Sequence, residues 1–120
     1  AGNMADAREE LERVTDIARG KAKVKAVFEH CVYTDSEKAA VLHMVKDCGA
    51  EFVKIQNVLS GKGAATEDVR FAKKILGGNV GVKIDGGVKT LEQALQLLAA
   101  GAARIGLTAT EAVVRQACSL

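Results

Sequence analysis

The chain reads as an α/β protein of parallel strand–helix units: one leading helix followed by (βα)4. Four short apolar runs alternate with four stretches of helical periodicity. The unit recurs at roughly 25 to 30 residues, the size of a βα repeat. Each of the first three units opens its helix near a threonine and closes it near a glycine: Thr34 and Gly49, Thr66 and Gly77, Thr90 and Gly101. Such alternation implies parallel strands joined by right-handed crossovers. A small open sheet and half of an eight-stranded βα barrel both satisfy the pattern. In either one the functional site forms at the carboxyl ends of the strands.

The elements follow in order. From about Asp6 to Arg19, Leu11, Val14, Ile17 and Ala18 share one helical face, and Gly20 ends it. The first strand is expected over Val24 to Cys31. Thr34 to Glu37 forms a capping box, in which Glu37 reaches back from the third helical position. The helix it opens carries Ala40, Val41, Met44, Val45 and Cys48. A second strand runs from Glu51 to Val58, and a glycine-bearing loop from Ser60 to Ala65 leads to Thr66-Glu67-Asp68. The acids there stand in the first turn, where the helix dipole favours them. Val80 to Ile84 is the third strand, Thr90 to Gln93 a second capping box, and Ala103 to Leu107 the fourth strand. Thr108-Ala109-Thr110-Glu111 opens the last helix.

Residues 1–120 form a single domain, with residues 1–5 expected to be an expression remnant or disordered. A net charge of +2, three Phe, one Tyr and no Trp provide neither a basic stripe nor a stacking platform. Nucleic-acid binding is therefore not expected. No apolar run is long enough to span a membrane. Cys31, Cys48 and Cys118 are odd in number and widely spaced, which fits a reducing compartment, and a cytoplasmic setting is expected. Glu29, His30 and Cys31 at the end of the first strand alternate across it and cannot all face one ion. No metal and no cofactor are expected.

Two lysines carry the chemistry. Lys54 interrupts Phe52-Val53-Lys54-Ile55, and Lys83 interrupts Val80-Gly81-Val82-Lys83-Ile84. A charge inside a parallel strand costs free energy unless it is paired, neutralised or faces a wet pocket. Two ammonium groups on adjacent strands disfavour each other's charge, which is how an amine becomes nucleophilic near neutral pH. Gly86 and Gly87 follow the third strand, where bare backbone amides can face an anion or simply make a tight turn.

These residues resemble a family. Ala50-Glu51-Phe52-Val53-Lys54, Gly81-Val82-Lys83 with Gly86-Gly87-Val88-Lys89-Thr90, and Gly101-Ala102-Ala103-Arg104-Ile105-Gly106 resemble the C-terminal half of deoxyribose-phosphate aldolase, strands five to eight of its TIM barrel. The resemblance implies a half-barrel fold and cleavage of 2-deoxyribose 5-phosphate to acetaldehyde and glyceraldehyde 3-phosphate. It makes Lys54 the Schiff-base lysine and Lys83 its pKa-lowering partner. Gly86, Gly87, Gly106 and Thr108 become the phosphate-binding positions.

Departures from the family gather where substrate would sit. Ile55-Gln56-Asn57-Val58 stands where small hydroxyls and a glycine are usual, Ile84-Asp85 where small residues are, and His30 where a threonine is. Asp85 and Glu111 add negative charge near the expected phosphate position, and Asp85 can pair with Lys54 or Lys83. Nothing aligns with the N-terminal half, which supplies the family's proton-transferring aspartate. A half-barrel would expose two strand edges and an apolar inner face, and a homodimer or higher oligomer would cover them. The alternative function is a non-catalytic truncated, degenerate or engineered half-barrel that self-assembles. The expected partners are a small aldehyde or sugar phosphate and a second copy of the chain.

Overall fold

Short β-branched segments can satisfy their backbone amides and carbonyls only against one another. Here they pair in the simplest order. The computed structural model describes residues 3–57 and 59–119. Ala1 and Gly2, expected to belong to an expression remnant, and Val58, expected to end the second strand, lie outside the described residues. The strands are β1 (Lys25–Glu29), β2 (Phe52–Gln56), β3 (Gly81–Asp85) and β4 (Arg104–Gly106). All neighbours are parallel, in the order β1-β2-β3-β4. The helices are α1 (Met4–Ala18), α2 (Asp35–Asp47), α3 (Thr66–Leu76), α4 (Leu91–Ala99) and α5 (Thr110–Cys118).

Sequential order decides between the two architectures left open by the sequence. Right-handed crossovers that always step in one direction put their helices on one face of the sheet. A doubly wound sheet must instead reverse direction to cover both faces. The four units are therefore a barrel segment with one helical face and one open face. Toward the helices point Val53, Ile55, Val82 and Ile84, all fully buried, and they meet Leu42, Val45, Val69, Ala72 and Leu76.

Both expected capping boxes form. The Thr34 backbone N–H donates to Glu37 at 2.8 Å while Thr34 Oγ1 accepts from the Glu37 N–H at 3.3 Å. Thr90 and Gln93 exchange the same pair of bonds at 3.3 and 3.2 Å. The α3 and α5 starts differ. Ala65 and Ala109 occupy their cap positions, and neither supplies a side-chain bond.

Four expectations need correction. Helix α1 begins at Met4, where Asn3 Oδ1 accepts from the Ala5 N–H at 3.1 Å, so Met4 and Ala5 form its first turn. Of its expected apolar face only Leu11 packs on the core, while Val14 and Ile17 are exposed. Strand β1 stops at Glu29, and His30–Val32 forms a turn of 3-10 helix that carries His30 inward. The open face is not apolar. The strand alternation that buries Val53 and Ile55 sends Lys25, Glu29, Lys54, Gln56, Lys83, Asp85 and Arg104 to the opposite side, with only Val27 and Phe52 as large apolar groups.

Ile55 packs at the centre of the helix–sheet layer, so Ile55→Ala should cost about 2–5 kcal/mol. Urea denaturation should show the loss as a lowered midpoint with an unchanged slope.

Candidate active site

Parallel register assembles the site in rows across the open face. One row joins Val27, Lys54, Lys83 and Arg104, and the next, nearer the carboxyl ends, joins Glu29, Gln56, Asp85 and Gly106. Lys54 and Lys83 are thus direct cross-strand neighbours, each with about a fifth of its side chain exposed. The sequence reading of two lysines on adjacent strands holds in this geometric sense.

Asp85 lies between them and is the main electrostatic feature. Its Oδ2 is 2.7 Å from Lys54 Nζ and 4.0 Å from Lys83 Nζ. The hydrogen bond from Lys54 holds the carboxyl below the usual aspartate range, against partial burial, with the charges of both lysines and the Gly86 N–H adding to the effect. Asp85 is therefore ionised at neutral pH.

The glycines have distinct tasks. Gly106 lies beneath the Asp85 carboxylate, and a Cβ there would collide with Asp85 Oδ1. Gly81 lies under the Phe52 ring, which a Cβ would meet at 2.5 Å. Phe52 in turn supports Arg104, whose guanidinium carbon is 4.1 Å from the ring centroid, a cation–π contact. Gly86 and Gly87 take positive φ angles of 95° and 76°. Gly86 O accepts from Ala64 N at 2.8 Å, and a Cβ on Gly87 would be 3.1 Å from Gly63 Cα. The two loops thus press together. Beside them lies a shallow depression of about 350 Å³ lined by Asn57, Gly61, Lys62, Gly63, Gly86, Gly87 and Lys89.

The other singled-out residues separate. Thr108 is exposed in the bend before α5 and belongs to a different hollow, with Glu111 and Arg115. Glu111 accepts from Arg115 at 2.9 and 3.0 Å, so its charge is answered within its own helix. Ile55 and Ile84 point into the helical core and do not crowd the lysines. Asn57 is buried and holds the loop: its amide donates to Gly63 O at 3.0 Å and to Asp68 Oδ2 at 2.7 Å. His30 Nδ1 lies 3.1 Å from Asp68 Oδ1, with its ring edge-on to Phe28 and Phe71. Burial pushes the Asp68 carboxyl up, yet the bonds from His30 and Asn57 outweigh it and leave it lowered. Among the described residues, no group of three or more His, Cys, Asp or Glu is placed to hold a metal ion.

Sequence reasoning missed Arg104 as a neighbour of Lys83 and missed the Phe52 ring that supports it. The available signal was the shared alternation of Lys83-Ile84-Asp85 and Arg104-Ile105-Gly106.

No family model matches the chain. It is 39% identical over 113 residues to deoxyribose-phosphate aldolase of Alkaliphilus oremlandii, covering 94% of this chain and 51% of that protein. A Bacillus cereus deoxyribose-phosphate aldolase is 44% identical over 105 residues, covering 88% and 47%. In structure the chain is similar to the aldolase QR15, with a TM-score of 0.84, 27% identity, and coverage of 93% and 50%. The chain spans about half the length of the curated relatives it matches. A shared sequence over nearly the whole chain, on a shared βα-barrel segment, makes it a relative of the deoxyribose-phosphate aldolases.

Proposed function

We propose that the chain carries the lysine site of a Schiff-base aldolase, with Lys54 as the nucleophile and Lys83 as its electrostatic partner. The observation that supports this best is their cross-strand pairing on the open face toward the carboxyl ends of the strands. An amine there can form an iminium with a small aldehyde or sugar phosphate, and the iminium draws electrons from the carbon–carbon bond that breaks or forms. Gly86, Gly87 and Gly106, with Thr108 farther out, are the proposed positions around the substrate's distal end. Relatives named deoxyribose-phosphate aldolase support an aldol or retro-aldol reaction.

A second reading is favoured by one observation, the 2.7 Å contact from Lys54 to Asp85. An ammonium held by a carboxylate keeps its proton, and the unit is then a non-catalytic, self-assembling half-barrel. Both readings use the same assembly. In the described sheet β1 and β4 each have only one strand neighbour. A two-fold axis along the barrel would set β4 of one copy parallel to β1 of the other and close eight strands. We take the assembly as a homodimer. Three free thiols support a reducing, cytoplasmic setting, and among the described residues no helix is long and apolar enough to cross a membrane.

Reductive trapping tests the first reading. Incubation with acetaldehyde and borohydride, then peptide mapping, should give one rapid adduct at Lys54. Lys54→Leu should abolish it and Lys83→Leu should slow it. Slow labelling scattered over surface lysines would instead support the non-catalytic reading.

Light scattering at micromolar concentration should return twice the mass of one chain. A stable monomer would overturn the closed-barrel assembly.

Asp85 gives a pH signature with a defined sign. Its folded carboxyl titrates below the unfolded value of about 3.9. Its stabilisation is therefore present above that value and lost as pH falls through it toward the folded one. Urea midpoints of the wild type and Asp85→Asn should differ at neutral pH and converge in acid.

A further inference from the structure

We infer that Asp85 acts as a built-in anion that sets substrate class, so the Lys54 site takes uncharged carbonyl compounds in preference to phosphorylated ones. This deepens the Schiff-base reading and rests on it. The inference comes from what the carboxylate already occupies. Its Oδ2 is bonded to Lys54 Nζ at 2.7 Å and stands 4.0 Å from Lys83 Nζ. Its Oδ1 fills the space over Gly106 that a side chain, or an incoming oxyanion, would need. The Gly86 N–H also favours the ionised carboxylate. A phosphate entering between Lys54 and Gly106 would meet a fixed negative charge and partners already in use.

The remaining cations do not remove this obstacle. Arg104 is stacked on Phe52, while Lys62 and Lys89 line the depression at Gly86 and Gly87, whose walls do not include Lys54, Asp85 or Gly106. An uncharged aldehyde needs no anion site and gains from the carboxylate. Lys54 gives up its ammonium proton to solvent, and the free amine attacks the carbonyl carbon. A C–N bond forms, and the carbonyl oxygen leaves as water after taking up two protons, one from solvent and one from the attacking nitrogen. The product is a protonated imine and water, and Asp85, ionised throughout, is left beside the new cation.

The test uses the intact chain with D-glyceraldehyde and D-glyceraldehyde 3-phosphate, which differ in the phosphate. Each is incubated with cyanoborohydride, and the labelling rate at Lys54 is divided by that of Nα-acetyllysine to remove intrinsic reactivity. Wild type should label faster with glyceraldehyde by about fivefold or more, and Asp85→Asn should shrink or invert that ratio. Circular dichroism melting of Asp85→Asn establishes that it folds, and Asp85→Ser serves in its place if it does not. A wild-type preference for the phosphate, or a ratio unchanged by both substitutions, overturns the role of Asp85 while leaving the Schiff-base reading standing. Labelling of Lys54 by neither compound in any variant overturns both.

Discussion

Everything at the site depends on the register of β2 against β3. Pairing Phe52 with Gly81 fixes Lys54 opposite Lys83 and Gln56 opposite Asp85. A slip of β2 by one residue would turn Lys54 toward the layer of Leu42, Val69 and Leu76 and expose Val53 and Ile55. The cost of burying that charge makes the hydrophobic layer enforce the polar one. Packing on the helical face thus determines which groups meet on the open face.

The open face balances charge locally. Arg104 is held over an aromatic ring, and Lys54 and Lys83 share one carboxylate. Close approach is possible because glycine stands under each bulky or charged neighbour, Gly81 under Phe52 and Gly106 under Asp85. The family resemblance makes Gly106 a phosphate-binding position, and in the fold it lies under a side chain of the protein itself.

Much of this was legible in the sequence for local reasons. Period-two alternation placed Lys54 and Lys83 correctly, and the Thr34 and Thr90 capping boxes located two helix starts. Asp85 as a lysine partner was also legible, because it sits two residues beyond Lys83 on the same face. Long-range effects were not. His30 leaves the strand to reach Asp68, 38 positions away, and no local pattern encodes that turn. The α1 stripe of Val14 and Ile17 had the right period, but periodicity does not reveal whether a surface exists to receive it. The polar character of the open face followed from alternation in all four strands together, and reading strands singly concealed it.

The contact of Gly63 with Gly87 has a consequence for how this scaffold can change. The Cα of each stands 3.1 Å from the point where the other's Cβ would be, and Ala64 donates to the carbonyl of Gly86 between them. Loops from two different βα units therefore behave as one mechanical piece. A side chain gained at either position displaces both, so the two loops cannot be remodelled independently. Any evolutionary or laboratory path that reshapes one rim of this site must carry the other rim with it.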